Sequence, residues 1–352
     1  MSAGRPATVR DVAARAGVSI ATVSRALRGH ANVEPATRQR VEEAARALSY
    51  RPSGVARSLR LRATRTIGLI VTDIENPYFP QVVSAVEDAA RERGYSVLLA
   101  DGRRDPEREI ESLEVLAERE VDGLIIASTT LTLRHQVRIR EVPCPVVIVN
   151  SESTVSVVPA VLSDNAGGGR MAAEHLLGLG HRRLAYLAAP SADDRAVHER
   201  IEGVRAALWA EGLARGALII VPAAPGVDGG ALAAVMAMGA DSAISALICS
   251  NDLTAIGAVR GLRSLGLRVP ADASVVGFDD IEMAAHVDPP LTTIRQATDE
   301  MGHWAVASLL QRIDRGREAT AGQVGGTPGR TVRLPVTLVT RGSTAPAGRP
   351  PA

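Results

Sequence analysis

The sequence contains no lysine, only two cysteines and only eight aromatic residues among its 352 positions. Its 40 basic residues are all arginine, and because lysine is missing from every region we attribute the bias to a GC-rich coding sequence. Cys144 and Cys249 provide neither the spacing of a metal site nor a framework of disulfides. No apolar run approaches the ~20 residues of a membrane span, and no apolar signal-peptide core opens the chain. We therefore expect a cytoplasmic protein with no metal, no cofactor and no membrane partner.

Charge is divided unevenly along the chain, although the total is only +1. Residues 1–65 contain thirteen arginines and four acidic residues, a net charge of +9, and the remainder carries −8. A basic head on a mildly acidic body is typical of a polyanion-binding module attached to a second module that need not contact the polyanion. The length of the chain also predicts more than one domain.

The basic head opens with residues 8–27, TVRDVAARAGVSIATVSRAL, which predict two short helices joined by a tight turn. Gly17 stands where the first helix must end, since glycine adopts positive φ without strain, and Ser19 is placed to cap the second helix. The exposed face of the second helix is nearly free of acid and carries Ile20, Ala21, Thr22, Ser24, Arg25 and Arg28. This pattern favours a helix-turn-helix that enters the DNA major groove. A helical hairpin packed only for stability fits the apolar stripe equally well.

Residues 35–48 predict a third helix, with Pro35 in its first turn. The apolar stripe of this helix consists of Val41, Ala44, Ala45 and Leu48. The basic segment that follows, residues 51–65, is either a flexible linker or a short helix over residues 54–59. A helix of this length is not stable alone in water, so it would form only on DNA or against a second copy.

From Thr66 onward, short apolar strands alternate with amphipathic helices, which predicts parallel βαβ units arranged as two successive doubly wound lobes. Residues 155–163 interrupt the series. We expect a late helix at 298–315, a single final strand at 330–338 and a disordered tail at 342–352. The predicted strands are TIGLIV, SVLLA, GLIIA, PVVIV, RLAYLAA, ALIIV, ALICS and SVVGF.

Polar residues follow several of these strands, at the sheet edge where open α/β sheets bind ligands. The set comprises Asp73, Asp101, Asn150, Asn251, Asp252, Asp279 and Asp280. Tyr78 and Phe79 lie just past the first strand, so a cleft between the lobes would suit a small polar ligand such as a sugar or nucleoside. A helix N-cap is the alternative for each aspartate, and we favour it for Asp252 and Asp280.

Signatures of catalysis are missing from the sequence. It has no nucleophile elbow, phosphate loop or dinucleotide fingerprint, and the glycines at 167–169 are better explained by close helix packing. Cys249 has no histidine near it in sequence, and a thiol at such a position is more often part of the core. We therefore expect no enzymatic activity. An enzyme on this fold remains one alternative, and a solute-binding protein is another, although the latter should have a signal peptide and no basic head.

Residues 8–341 resemble the lactose/galactose repressor (LacI/GalR) family of bacterial transcription regulators. The resemblance rests on the head motifs TVRDVAARAGVSIATVSRAL and RPSGVARSLR and on the body motifs TIGLIVTDIENPYF, SDNAGG, EHLLGLGHRR and SVVGFDD. It implies an all-α helix-turn-helix head and a two-lobed α/β body similar to periplasmic binding proteins. It further implies a homodimer, acting as a repressor, that binds a palindromic double-stranded DNA operator under the control of a small effector.

The resemblance also implies which residues contact DNA. Ile20, Ala21 and Arg25 occupy base-reading positions, and of these only Arg25 can donate to guanine. Leu59, with Ala56 beside it, matches the apolar wedge that enters the minor groove. The remaining DNA contacts, to phosphates and at the end of the exposed face, fall to Thr8, Ser19, Thr22, Ser24 and Arg28.

In the body, the family's ligand positions correspond to Tyr78, Phe79, Arg200, Asn251 and Asp279, and the strand-end argument adds Asp73 and Asp101. The segment at 222–230 lacks an aromatic residue that several relatives stack on a sugar, so the ligand's identity stays open. We expect the head at 1–50 and the hinge helix and linker at 51–65. The expected effector-binding and dimerisation domain spans 66–341, with one lobe at 66–163 and 293–325 and the other at 164–292 and 326–341.

Overall fold

The computed structural model describes residues 7–27, 30, 32–50, 63–128, 131–152, 158–188, 194–318 and 330–348. The chain divides into two compact units, residues 1–64 and 65–352. Arg28, Ala56 and Leu59, together with most of the expected hinge, lie outside the described residues. No helix in the described ranges is long and apolar enough to cross a membrane.

The head contains three helices, α1 (Val9–Ala16), α2 (Ile20–Ala26) and α3 (Pro35–Ala47), close to the predicted bounds. Both the backbone N–H and the hydroxyl of Thr8 lie 2.7 Å from Asp11 Oδ2, so the side chain of Asp11 completes a capping box at the start of α1. Gly17 ends α1 with φ 67°. Ser19 Oγ accepts a hydrogen bond from the Thr22 N–H at 3.1 Å and caps α2. The buried residues are Val12, Ala13, Ala16, Val23, Ala26, Val33, Val41, Ala44 and Ala45.

The first lobe of the body is built on a six-stranded parallel sheet in the order β2 (Ser96–Asp101), β1 (Thr66–Val71), β3 (Gly123–Ala127), β4 (Val146–Val149), β5 (Ala160–Ser163) and β11 (Thr331–Leu334). Its central strands are apolar on both faces because helices cover both sides of the sheet. The elements up to β5 are β1 (Thr66–Val71), α4 (Tyr78–Glu92), β2 (Ser96–Asp101), α5 (Pro106–Glu118), β3 (Gly123–Ala127), α6 (Leu133–Glu141), β4 (Val146–Val149) and β5 (Ala160–Ser163).

The second lobe has a four-stranded parallel sheet in the order β7-β6-β8-β9. Its elements are α7 (Asn165–Gly178), β6 (Leu184–Ala188), α8 (Arg195–Ala210), β7 (Leu218–Pro222), α9 (Gly226–Ala240), β8 (Ala246–Cys249), α10 (Asp252–Ser264) and β9 (Ser274–Val276). The chain then continues through β10 (Thr293–Arg295), α11 (Thr298–Glu318), β11 (Thr331–Leu334) and β12 (Thr337–Val339).

The last strands divide between the lobes differently from the expected partition. β11 pairs in parallel with β5 and belongs to the first lobe, whereas β10 and β12 pair with each other, and Ile294 of β10 and Val336 just before β12 lie in the core of the second lobe. The predicted single strand at 330–338 is therefore wrong. Pro335 cannot donate a hydrogen bond to a ladder, and the chain leaves one sheet for the other at this residue.

Residues 342–348 pack against the second lobe, so the expected disorder is wrong for this part of the tail. Ser343 is fully buried, and its carbonyl oxygen accepts a hydrogen bond from the Val275 N–H at 2.8 Å. The Ala347 N–H donates to the Leu179 carbonyl at 2.8 Å. The tail thus satisfies a backbone group that β9 would otherwise leave unpaired at the edge of the sheet, a requirement that composition does not reveal.

Helices α7 and α8 approach each other closely through glycines. A Cβ at Gly169 would lie 2.0 Å from the Arg200 carbonyl oxygen, and a Cβ at Gly203 would lie 2.0 Å from that of Ala166. Only glycine allows this approach, which agrees with the close packing expected for the glycines at 167–169. The contact fixes the position of Arg200 on α8.

Candidate functional site

Helix α2 presents its expected DNA-binding face to solvent. Ile20 is 45% exposed, and Ala21 and Arg25 are also exposed, while Val23 and Ala26 on the opposite face are buried. The Nε of Arg25 donates to the Ala21 carbonyl at 3.4 Å, a weak bond that leaves the guanidinium free to reorient. The other described members of the expected set are exposed or half-buried, namely Thr8, Ser19, Thr22 and Ser24.

In the body, a cleft of about 70 Å³ lies at the carboxyl ends of the strands of both lobes. From the first lobe it is lined by Thr72, Asn76, Tyr78, Phe79, Arg104 and Asn150. From the second lobe and its connection it is lined by Asp194, Ala196, Val197, Arg200, Ala223, Ala224, Pro225, Ser250, Asn251, Thr254, Asp279 and Gln296.

Arg200 is a buried cation held in place from several directions. Its Nε donates to Asn165 Oδ1 at 2.9 Å, and its Nη1 donates to the Ser250 carbonyl at 2.5 Å. Its Cζ lies 3.6 Å from the centroid of the Phe278 ring. No ion pair joins Arg200 to Asp279 within the described residues, so each group faces the cleft separately.

Asp279 is a buried acid whose ionisation is balanced near neutral pH. Burial raises the pKa of Asp279 to about 7, even though the Arg200 charge and a hydrogen bond from Gln296 both lower it. Gln296 Nε2 donates to Asp279 Oδ1 at 2.7 Å and is itself held by the Ser163 hydroxyl at 2.5 Å. Asp279 also has φ 123°, a strained value for a residue other than glycine. Near neutral pH this side chain can therefore accept or donate a hydrogen bond to a ligand.

Tyr78 and Phe79 form an aromatic wall on the first lobe. Their ring centroids are 5.3 Å apart with an interplanar angle of 75°, and both side chains are buried. The Tyr78 hydroxyl donates to Asn150 Oδ1 at 3.1 Å, and burial raises the pKa of Tyr78. The hydroxyl is thus neutral and oriented, which leaves the ring edges to contact a ligand.

Two of the expected effector residues, Asp73 and Asp101, do not line the cleft. Asp73 Oδ2 lies 2.6 Å from Arg104 Nε, and Asp73 Oδ1 accepts from the Glu75 N–H. Asp101 Oδ1 accepts from the N–H groups of Ile74 and Arg103, at 3.2 Å each. Both carboxylates are already paired with nearby donors, so neither is directed at the cleft. Their effect on the cleft is indirect, because Asp73 anchors Arg104, which does line it.

The helix caps also differ from the sequence expectation. Asn251, not Asp252, caps α10, accepting from the Thr254 N–H at 2.8 Å while still lining the cleft. Asp252 is buried and accepts from the Ile281 N–H and the Thr293 hydroxyl. Asp280 is not a cap either, since it forms ion pairs with two arginines, Arg295 and Arg341, at 2.6 Å each.

Several cleft residues were missed by the sequence argument. Arg104 lies three residues past its strand, and Gln296 lies in a connection between the lobes, whereas Asn150, which also lines the cleft, was among the predicted strand-end residues. Asp194 sits at the start of α8, where its carboxylate accepts from the Val197 N–H at 3.1 Å. No local pattern marks these positions as facing the cleft.

Neither thiol suits nucleophilic chemistry. Burial raises the pKa of Cys144 to about 11 and that of Cys249 further still, so both thiols are protonated at neutral pH. Across the described ranges, no three histidine, cysteine, aspartate or glutamate side chains are grouped so as to hold a metal ion.

Comparison with known proteins places both units in one family. Residues 8–53 match the family described as bacterial regulatory proteins, lacI family. Residues 64–338 match the family of periplasmic binding proteins and the sugar-binding domain of the LacI family. The transcriptional regulator MalR of Streptomyces coelicolor is 38% identical over 357 residues, which cover 97% of this chain and 98% of that protein.

Two solved structures extend the likeness to the fold. The Lac repressor dimer bound to operator and an anti-inducer has a TM-score of 0.83 at 30% identity, covering 97% of this chain and 100% of the other. A LacI-family regulator from Enterococcus faecium with bound ribose has a TM-score of 0.70 at 32% identity, covering 80% and 100% respectively. The expected helix-turn-helix head and two-lobed α/β body are confirmed. The chain therefore belongs to the LacI family of bacterial regulatory proteins and is a DNA-binding transcription regulator.

Proposed function

We propose that this regulator is a repressor that binds a palindromic operator as a homodimer and changes its operator affinity when a small polar effector fills the cleft. The observation that carries the proposal is the set of buried, oriented polar groups formed by Arg200 and Asp279 on the second lobe and Gln296 in the connection between the lobes. They face the cleft opposite the aromatic pair Tyr78 and Phe79. Protein groups already hold these side chains in place, so their remaining donors and acceptors are available to a ligand in the cleft.

The chemistry of the cleft suits a sugar-like or nucleoside-like effector. Arg200 donates hydrogen bonds, Asp279 accepts or donates them, and Asn251 offers the part of its amide that the helix cap leaves free. The rings of Tyr78 and Phe79 suit the apolar face of a sugar or a base. The ribose bound to the Enterococcus faecium regulator supports this class.

On DNA, the proposal assigns base reading to Arg25, with apolar contacts from Ile20 and Ala21. Arg25 is the one base-reading residue able to form a bidentate contact with guanine O6 and N7. Leu59 with Ala56 would supply an apolar wedge in the minor groove. Contacts to phosphate, which position the head without specifying sequence, fall to Thr8, Ser19, Thr22, Ser24 and Arg28.

For the homodimer, we propose that the open edge of the first-lobe sheet contacts a second copy. β2 is the edge strand, and Leu98 and Leu99 on it are 39% and 46% exposed, with Val115 of α5 nearby in the same groove. Exposed leucines on an edge strand are unusual in a monomer. The dimeric state of the Lac repressor supports this assignment.

The proposed coupling runs through the angle between the lobes. Effector binding changes that angle, which alters the spacing of the two segments that lead into the heads of the dimer. By linkage, operator binding changes effector affinity by the same factor. We assign no catalytic activity to the protein, and binding to chromosomal DNA would place it in the cytoplasm.

Selection of DNA sites from a random pool, followed by fluorescence anisotropy on the selected site, tests the proposal. We expect a palindromic site bound with a strong salt dependence. A thermal-shift screen of sugars and nucleosides then identifies the effector, since a ligand at 100 times its Kd stabilises the protein by about 2.7 kcal/mol. Absence of any sequence preference in the selected pool would contradict the proposed function.

A further inference from the structure

Four charged side chains form a closed ring across the boundary between the lobes. Glu152, which follows β4, and Arg333 on β11 belong to the first lobe, while Arg195 and Glu199 lie in the first two turns of α8 on the second lobe. Arg333 forms a bidentate pair with Glu199, its Nη1 2.9 Å from Oε2 and its Nη2 3.0 Å from Oε1. Arg195 Nη1 lies 3.0 Å from Glu152 Oε2. These two pairs join the lobes.

The other two sides of the ring lie within single lobes. Arg195 Nε lies 3.0 Å from Glu199 Oε1, one turn further along α8. Arg333 Nη2 lies 3.7 Å from Glu152 Oε2 in the first lobe. Each charge therefore has two partners of opposite sign, one in its own lobe and one across the boundary. The ring can be split along the boundary into two halves, each electrically neutral and each keeping one ion pair.

This arrangement lowers the cost of separating the lobes. A single ion pair that spans two bodies leaves two unpaired charges when it breaks, and unpaired charges are costly where water is partly excluded. The carboxylates of Glu199 and Glu152 are only 19% and 26% exposed. Burial alone would raise the pKa of Glu199, but Arg333 and Arg195 lower it below its ordinary value. Both states of the ring keep this carboxylate beside an arginine.

Both cross-lobe pairs are attached to walls of the cleft. Arg195 and Glu199 alternate along α8 with Val197 and Arg200, which line the cleft. Glu152 lies two residues beyond Asn150, which accepts the Tyr78 hydroxyl. A movement of α8 relative to the first lobe must therefore lengthen the Arg333–Glu199 and Arg195–Glu152 contacts.

We infer that the ring formed by Glu152, Arg195, Glu199 and Arg333 is a reversible ionic latch that sets the angle between the two lobes. The latch holds the lobes in the present arrangement and releases them by splitting into its two neutral halves. Because its members are partly exposed, salt weakens it by screening. This role rests on the proposed function in one respect, namely that an effector acts by changing the angle between the lobes.

Distances between spin labels on the two lobes test the latch in the full chain, without DNA or effector. Labels go on Q311C in α11 of the first lobe and A240C in α9 of the second, both exposed positions. C144A removes the half-buried natural thiol, whereas Cys249 is buried and stays unlabelled. Labelled chains are diluted with unlabelled ones so that only distances within one chain contribute.

We expect R333Q and E199Q each to raise the population of lobe-separated distances by about two- to fivefold, as loss of one partly exposed ion pair allows. Raising the salt concentration should move the unsubstituted protein in the same direction. The matched control is E174Q, which breaks an ion pair of the same i, i+4 type with Arg170 but lies wholly within the second lobe. It should leave the distances unchanged.

The double variant R333E/E199R separates a latch from simple stabilisation. It keeps both attractions between the lobes. Within each lobe, however, it places like charges side by side: the new acid at position 333 lies next to Glu152, and the new arginine at position 199 lies next to Arg195. Each half then carries a net charge opposite to that of the other half, so we expect fewer separated lobes than in the unsubstituted protein and a stronger response to salt, because screening acts more on charged halves than on neutral ones. The inference is overturned if R333Q and E199Q match E174Q, or if the double variant opens as far as the single ones. Neither result depends on the proposed effector or operator.

Discussion

The guanidinium of Arg200 stacks on the ring of Phe278, with Cζ 3.6 Å from the ring centroid. Asn165 and the Ser250 carbonyl fix two of its nitrogens, and the glycine contact between α7 and α8 fixes the helix that carries it. A donor that is already oriented loses little conformational entropy on binding. In the proposed function, this preorganisation allows a short polar segment of α8 to recognise the effector.

Substitution of Gly203 tests whether the close approach of α7 and α8 positions Arg200. In G203A the new Cβ meets the Ala166 carbonyl, and backbone cannot swing aside as a side chain does. We expect a loss of about 1–3 kcal/mol in the free energy of unfolding, measured in urea, together with weaker effector binding.

The matched control is G178A, on α7 itself. Nothing lies within 4 Å of a Cβ at Gly178, which is the last residue of α7, so alanine should leave the free energy of unfolding unchanged or raise it slightly. Equal effects of the two substitutions would mean that helix propensity, and not the interhelical contact, decides the outcome.

The raised pKa of Asp279, about 7, predicts a pH-dependent contribution to stability. The folded state holds this proton up to about pH 7, whereas the unfolded chain releases it near pH 4. The contribution is therefore fully present below about pH 4 and is lost as the pH rises to 7. D279N cannot ionise, so its stability relative to the unsubstituted protein should increase over that interval. The free energies of unfolding of D279N and the unsubstituted protein are measured at pH 4.5 and pH 7.5. If they differ by the same amount at both pH values, the assigned pKa is wrong.

Much of the fold follows from the sequence because buried parallel strands are continuous apolar runs. Thr66–Val71 and Gly123–Ala127 coincide with their predicted strands for this reason. α6 and β5 were not predicted, since α6 is largely polar and β5 lies in the stretch 155–163 that interrupts the alternation of strands and helices. The cleft was harder to predict, because strand-end position does not say whether a carboxylate faces the ligand or a neighbouring N–H. Asp279 faces the cleft, whereas Asp101 is taken by two backbone donors.

Two histidines that hold the tail predict an opposite pH dependence. His181 lies within hydrogen-bond distance of Ser245, Ser274 and the Ala345 carbonyl, and His175 contacts Thr344. Burial lowers the pKa of both, so the folded state favours neutral rings. Their contribution is present above about pH 6.5, where the unfolded chain is also neutral, and is lost as the pH falls below it.

H181Q should therefore reduce the loss of stability between pH 7.5 and pH 5.5, measured from urea unfolding. H303Q, at an exposed position on α11, provides the control and should lose as much stability between the two pH values as the unsubstituted protein does. If H181Q and H303Q lose the same free energy of unfolding between pH 7.5 and pH 5.5, the tail is not held by a neutral His181.

Arg25 should carry most of the polar sequence discrimination of α2. The unsubstituted protein should prefer the selected operator to a site in which the contacted guanine is changed to another base. R25A should lower this preference by about 1–3 kcal/mol, measured by a competition gel shift. R46A removes an exposed arginine from the last turn of α3 and serves as the charge-matched control. Unchanged discrimination in R25A would remove this residue from base reading.

The most direct test of the central claim measures the fluorescence anisotropy of labelled operator in the presence of the unsubstituted protein and, separately, of D279A. Each complex is titrated with the effector found by thermal shift. We predict that both proteins bind the operator alike without effector and that only the unsubstituted protein changes affinity when effector is added. A response of D279A at the same effector concentrations as the unsubstituted protein would contradict the claim that the cleft controls DNA binding.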